Sequence, residues 1–512
     1  MRAFTKAMFG AAIGAAALIA TSTASTAQGR TDVVVAAPWH VNGMDPASDG
    51  YTFQRMEVAE TLVDAGIDGQ LRPGLATEWQ VGGDGLVWRF QLRDGVRFHD
   101  GTELSADAAV ASLKRAVTQP GVLQNLPIAE IAADGDAVVI RLAEKFAALP
   151  AVLANYTALI LAPASFDGDG KVVSVIGTGP FQVAQIDPPS SLSLKRFDGY
   201  WGEAAHLEAA RYISTSRAET RALMAESGDA DLVFTLDPAG YSRLSQLEPV
   251  EVKAVPIPRT IVLKLNLAHP ALTEAEARQA LSLAIDRDGI AAGILRFPDA
   301  TASQLFPPAL ADWHDPTLTP LAYDPDTARQ SLAALGWAPG EDGILVRDGM
   351  RFALTLRTFP NRPELPLIAA ALQDQWRQIG VALDISVGNF SEIPSGHQDG
   401  SLDVALFARN YGLTPDPVVN AAEDFGAGGA DWGAMNWDAP DVAEALAKAR
   451  AESDPATRGP AIDLAVAAVH KDLPVVPIAW YTHTVAYPDA LQGVIVDPLE
   501  RNYELSKLRW AE

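Results

Sequence analysis

Apolar and polar positions alternate over Trp88-Arg89-Phe90-Gln91-Leu92-Arg93 and again over Val96-Arg97-Phe98-His99, the period-two pattern of half-buried strands. Asp94-Gly95 separates the two runs and suits a tight turn that needs positive φ, so the pattern predicts a hairpin closed off by Asp100-Gly101. Ser105 can then cap a helix that carries Val110, Leu113 and Ala116 on one side. The same reading predicts a first strand over residues 31–37 and a helix with Phe53, Met56, Ala59 and Leu62 or Val63 on one face. A strand over 137–142 and an apolar, helix-like region over 146–161 follow.

Residues 250–267 hold two β-rich runs broken by Pro256 and Pro258, which reads as a crossing between domains. Thr273 and Glu276 have capping-box spacing for a helix through Ala284. Residues 366–379 place Ile368, Leu372, Trp376 and Ile379 on one helical face, and Gly380 supplies a positive-φ stop before a strand over 381–387. Residues 403–406 read as a further strand. Repeats of strand, helix and strand predict a mixed α/β architecture.

At 512 residues with 48% apolar composition, the chain is too long for one core and reads as a folded protein of two or three domains. Met1 to Lys6 carries two positive charges, residues 7–20 are apolar, and Ser25-Thr26-Ala27 ends a small polar stretch. That is the layout of a secretory signal peptide, with cleavage expected after Ala27. With no cysteine in the chain, neither a disulfide framework nor a lipid-modified cysteine is expected, and the mature protein is expected to be soluble in a bacterial periplasm. The formal charge of −25 argues against nucleic acid and anionic lipid as partners.

The familiar catalytic motifs are absent. No G-x-S-x-G elbow, H-E-x-x-H or Walker motif occurs. Asp167-Gly168-Asp169-Gly170 begins like a calcium loop but has Val172 and Thr178 where a glycine and a bidentate glutamate are required. Gly177-Thr178-Gly179-Pro180 lacks the lysine of a phosphate cradle.

Pro73, Leu75, Ala76, Trp79, Leu92, Arg93, Val96, Phe98, His99, Asp100 and Gly101 reproduce a long ordered signature. It resembles that of the family-5 solute-binding proteins of ABC transporters, which serve oligopeptides, dipeptides and nickel chelates. The resemblance continues through Asp45-Pro46 with Glu60, Leu62 and Val63, through Gly177 to Phe181 with Tyr200-Trp201-Gly202, and through Asn266 with Arg278 to Arg287. It runs on through Tyr323-Asp324-Pro325 to Gly336-Trp337 and the proline-rich strand within residues 472–481.

The resemblance implies a bilobed periplasmic-binding-protein fold of the large cluster C type: two mixed-sheet lobes joined by a two-strand hinge, with an extra small subdomain. On that reading residues 1–27 are the signal peptide, and 28–58, 177–255 and 481–512 build lobe I. Residues 59–176 form its additional subdomain, and 256–480 form lobe II. It implies a monomer without enzymatic activity that closes on a small molecule or peptide and delivers it to ABC permease subunits.

Clefts of open α/β sheets lie beyond the carboxyl ends of strands, so Trp39 and His40, after the first strand, are candidate ligand contacts. The segment after residues 403–406 supplies Arg409, Asn410, Tyr411 and Asp416; in peptide-binding relatives an aspartate before proline faces the ligand's amino terminus. Trp432 and Trp437 follow a glycine-rich loop, and Trp480, Tyr481 and His483 end the second crossing. His40 and His483, brought from separate parts of the chain, could ligate a transition metal carried in a chelator, since neutral imidazole suits nickel, copper and zinc. No resident cofactor is expected. The Trp480 to His483 run and residues 497–503 look most like the nickel-type branch, yet residues 420–433 lack a histidine and residues 148–161 lack an arginine for a chelator's carboxylates. Nickel chelate, peptide and opine ligands all stay open, and a periplasmic hydrolase is the rival from another class.

Overall fold

The structure is a computed structural model that describes residues 29–511; the expected signal peptide lies outside the described residues. Ten strands form one sheet. In chain order they are β1 (Asp32–Ala37), β2 (Phe181–Asp187), β3 (Ser191–Arg196), β4 (Ala209–Ser214), β5 (Leu232–Phe234) and β6 (Val250–Leu265). β7 (Ala353–Thr358), β8 (Ala382–Val387), β9 (Val404–Asn410) and β10 (Val475–Pro488) complete it. Their spatial order is β8-β7-β9-β6-β10-β5-β1-β4-β3-β2.

Two long antiparallel strands hold the middle. β6 has 16 residues and β10 has 14, enough at about 3.3 Å per residue to run from one lobe into the other. The first half of β6 pairs with the second half of β10 next to β5 and β1, and the second half of β6 pairs with β9. The expected break at Pro256 and Pro258 is instead a register shift inside a continuous strand, between Pro256 and Thr260. Proline cannot donate a ladder hydrogen bond, so the prolines interrupt pairing where the lobes meet without ending the strand.

The subdomain is a four-stranded sheet ordered Ala76–Val81, Val87–Leu92, Ala137–Leu142 and Ile128–Asp134. The hairpin predicted at Asp94-Gly95 does not form. Val87–Leu92 has both edges taken by Ala76–Val81 and Ala137–Leu142, so residues 96–98 fold back on 102–104 through Phe98 N–H to Thr102 O and Leu104 N–H to Val96 O, both 2.9 Å. Ser105 does cap the next helix, Ala106–Ala116, accepting from Ala108 N–H at 3.2 Å.

Three other helix expectations change. The helix expected around residues 53–63 lies earlier, at Pro46–Arg55, because Asp45 caps it with Pro46 at its first position; Glu57 then takes φ +55° and breaks the periodicity. The 146–161 region holds only the short helix Leu149–Val152 and one 3-10 turn. The helix Ala275–Leu283 starts from Glu274 with no side-chain cap, so the Thr273–Glu276 capping box is not made.

The signature residues fasten the four-stranded subdomain to the segments flanking β2 and β3. His99 Nε2–H donates to Gly179 O at 3.0 Å and its Nδ1 accepts from Gly177 N–H at 3.2 Å; burial pushes its imidazole down to about 4, so the ring is neutral. Glu60 accepts from Thr178 Oγ1 at 2.7 Å, Tyr200 O–H at 3.1 Å and Trp201 Nε1–H at 3.0 Å. Arg93 lies 4.1 Å from the centre of the Trp201 ring.

Burial raises the Glu60 carboxyl to about 7 despite these three donors. A carboxyl whose folded-state value exceeds its unfolded one stabilises most below the unfolded value and loses that contribution as pH rises through the folded one. Glu60→Gln, which mimics the protonated acid, is therefore expected to flatten the stability gain of the natural protein between pH 7.5 and 5. Glu60→Ala, which strands the donors, is expected to cost about 2–4 kcal/mol. Urea unfolding across that pH range checks both.

Candidate functional site

Where the carboxyl ends of β1, β7 and β9 face each other across β6 and β10, charged and aromatic side chains converge in the interior. The centre is Glu500. Asp497 accepts backbone N–H bonds from Leu499 at 2.8 Å, Arg501 at 2.8 Å and Asn502 at 3.0 Å, winding the segment into a turn that holds Glu500 at φ +57°. Such backbone costs about 1–3 kcal/mol for a non-glycine residue and persists where its surroundings enforce it.

Four groups from different elements converge on Glu500. Arg259 of β6 forms an ion pair with its carboxylate. Asn410 at the end of β9 donates from Nδ2 to Oε2 at 2.7 Å, and Arg55, from the Pro46–Arg55 helix, donates from Nε to the Glu500 carbonyl at 2.6 Å. His483 of β10 stacks on Phe234 at 5.4 Å with its Nδ1 3.9 Å from Glu500 Oε1.

Arg362, in the loop after β7, joins the cluster over two rings, 5.6 Å from the centre of Trp39 and 5.0 Å from that of Tyr481. Arg55 faces Trp39 at 5.8 Å and Tyr51 at 5.5 Å, and Arg259 faces Tyr481 at 5.1 Å. The Glu364 carboxyl, raised by burial, sits beside Arg362. Arg55, Arg259, Glu364, His483 and Glu500 are all buried.

The electrostatics follow from burial set against opposite charge. Burial alone would raise Glu500, but Arg259, with Arg55 and Arg362 also close, holds it at about 2. Burial pushes His483 down to about 4 against the pull of Glu500, so the imidazole is neutral at pH 7 and its contact with Glu500 is not an ion pair. Burial likewise lowers Arg259 to about 10. At pH 7 three guanidinium groups thus face two acidic side chains. Arg362 Nη1, His483 Nδ1, Glu364 Oε1 and Glu500 Oε1 are buried without a protein partner. Polar atoms in that condition cost about 1–3 kcal/mol each and mark where a ligand would bond.

Of the residues singled out from the sequence, Trp39, Asn410, Tyr481 and His483 meet in this cluster. His40 does not: it is exposed, with Nδ1 3.0 Å from Ser214 Oγ. Arg409 turns to the other face of β9, where it grips Asp424 through two 2.7 Å contacts, and Tyr411 packs on Phe306 at 4.9 Å. Asp416 receives Arg458 at 2.6 Å on both oxygens, in the wall of a separate cavity of about 470 Å³ lined also by Ala147, Trp313, Gly412 and Leu499. Trp432 packs on Phe407 at 5.1 Å, Trp437 donates to Asp472 at 3.3 Å, and Trp480 donates to Gln304 O at 3.1 Å. Among the described residues no group of three or more His, Cys, Asp or Glu side chains is gathered to hold a metal ion.

Sequence reasoning missed Arg55, Arg259, Arg362, Glu364 and Glu500. One signal was available: arginine directly after the proline pair of a crossing strand, and after another strand's end in Asn361-Arg362-Pro363, is cleft placement by the carboxyl-end rule.

Residues 70–432 match the family described as bacterial extracellular solute-binding proteins, family 5 Middle. The dipeptide-binding protein of Escherichia coli (strain K12) is 25% identical over 526 residues, covering 95% of this chain and 96% of that protein. The glutathione-binding protein GsiB of the same strain is 26% identical over 376 residues, or 71% of this chain and 70% of that protein. Among solved structures, NikA from Brucella suis in complex with Fe(III)-EDTA aligns with a TM-score of 0.87 at 23% identity, over 94% of this chain and 99% of its own. DppA from Helicobacter pylori in complex with the peptide STSA aligns at 0.78 and 23% over the same shares. The architecture is the bilobed fold of these periplasmic binding proteins.

Removing one partner of a buried ion pair leaves the other uncompensated, so Glu500→Ala and Arg259→Ala are each expected to cost about 3–5 kcal/mol. The double variant is expected to cost clearly less than their sum, because the two act as a unit. Glu500's depressed value means its contribution is present above the ordinary glutamate range and is lost as pH falls from about 4.5 towards about 2. Denaturant unfolding of the three variants, repeated at falling pH, measures all of this.

Proposed function

This chain belongs to the bacterial extracellular solute-binding proteins, family 5, and on that premise we propose that its lobes close on a small ligand bearing a carboxylate and hand it to an ABC permease. One observation carries the reading: a buried cluster with more guanidinium than carboxylate, in which Arg362 Nη1 is left without a partner. A carboxylate supplies what that cluster lacks, a charge-assisted acceptor in a site screened from water. Peptides, opines and polycarboxylate chelates of a metal all bear that group.

The protein acts as a periplasmic monomer, and capture without turnover is its whole chemistry. No helix among the described residues is long and apolar enough to cross a membrane, which fits a chain released after its signal peptide is removed. Closure supplies selectivity, because only a ligand that binds the closed form better than the open one shifts the population.

The second reading, metal held in a chelator, rests on His483 Nδ1, a neutral and unpartnered imidazole nitrogen suited to nickel. His40 would have to leave Ser214 and the surface to join it.

Mass spectrometry with elemental analysis of what co-purifies separates these readings. A peptide or opine without metal removes the chelate reading; nickel retained by the His40→Ala, His483→Ala double variant removes the two-histidine grip. Arg362→Ala is expected to weaken binding of the co-purified ligand about tenfold or more, the loss of one charged hydrogen bond. Titration calorimetry that finds its affinity unchanged would overturn the carboxylate assignment.

A further inference from the structure

We propose that the subdomain is a working jaw of the clamp: Arg450 and residues 144–147 form a latch that sets how long the closed form lasts, without touching the ligand. The inference rests on the reading above, in which capture means closure.

The latch is built from complementary pieces. Ala147 N–H donates to Arg450 O at 2.9 Å, at the end of the helix Pro440–Ala451. The Arg450 guanidinium lies 5.6 Å from the Phe146 ring centre and 3.5 Å from Glu144 Oε1, while Lys145 Nζ stands 3.8 Å from Glu452 Oε1. Two neighbouring pairs of opposite polarity specify one docking position, since sliding by a residue would set like charges together. Nearby, Asn155 Nδ2 donates to Leu413 O at 3.3 Å.

Apolar packing also crosses this joint. Most buried apolar side chains of residues 62–162 form one connected cluster with those of 257–481, whereas Leu159 and Leu161 belong to the separate core around β1 to β5. The subdomain therefore shares most of its apolar contacts with residues 257–481, the part of the chain that also carries Arg450. A cavity of about 190 Å³ between Leu126 and Phe146 on one side and Val419 and Arg450 on the other interrupts the seam. The pocket leaves part of the seam open to solvent, so the contacts there resemble those of an interface between domains.

Contacts that exist only in the closed form must break before the ligand leaves, so Arg450 is a positioning residue for dissociation. The ion-pair partners are substantially exposed, at 35% and 64% for Arg450 and Glu144, so each pair is worth little and is weakened by salt.

The test uses the full chain, which has no native cysteine, with dyes on Ala111→Cys and Asp463→Cys to read closure by single-molecule energy transfer without ligand. The dissociation rate of the dipeptide Ala-Ala is measured in parallel. Arg450→Glu is expected to lower the closed-to-open ratio about two- to fivefold and to speed dissociation by the same factor with the association rate unchanged. The charge swap Glu144→Arg with Arg450→Glu is expected to restore both, and 1 M salt, where the Debye length is about 3 Å, to erase the difference. An unchanged ratio in Arg450→Glu, or no recovery in the swap, overturns the latch. Failure of the unaltered protein to bind Ala-Ala counts against that ligand alone, and the ligand-free ratio still decides the latch.

Discussion

A carboxylate stays ionised inside a protein only if opposite charge and hydrogen bonds offset its lost hydration. Glu500 meets that condition through groups that lie far apart in the sequence: Arg55 from the Pro46–Arg55 helix, Arg259 from the first crossing strand, Arg362 from the loop after β7 and Asn410 from the end of β9. None of these arginines could be buried there alone, and Glu500 could not be buried without them. The strained turn made by Asp497 supplies the fixed point. Because the partners come from distant parts of the chain, the cluster is complete only where those parts meet.

The crossing strands make that meeting possible. β6 and β10 are continuous, so the lobes cannot separate by translation; they can bend where Pro256 and Pro258 interrupt the pairing. Arg259 follows Pro258 directly, placing a charge of the cluster at the flexure itself.

Much of the fold was legible because local patterns decide it: the alternation in β6 and β8, the Ser105 cap and the Gly380 stop all stand where periodicity and turn chemistry put them. Partner choice was not legible. The Val87–Leu92 strand has the pattern of a hairpin arm, but pattern does not say which neighbour takes each edge, and residues 137–142 took the edge that residues 96–98 would have used. The site was legible only in part, for the same reason. Trp39, Asn410, Tyr481 and His483 follow from the rule about strand ends, whereas Glu500 depends on a turn held by Asp497, and Arg362 on a loop that means nothing until it crosses to Trp39.

The signature that identifies the family describes joints and leaves the site out. Glu60, Thr178, Tyr200 and Trp201 come from motifs that look independent in the sequence and prove to be a single hydrogen-bonded knot beside the large sheet. His99 belongs to the same seam as a neutral structural ring. A joint must keep its geometry whatever the cargo, while a cleft must change its side chains to change cargo. A resemblance carried by joints therefore names the mechanism of capture, lobes hinged on two strands and closing on a solute, and leaves the ligand to be read from the charges that the closed cleft leaves unpartnered.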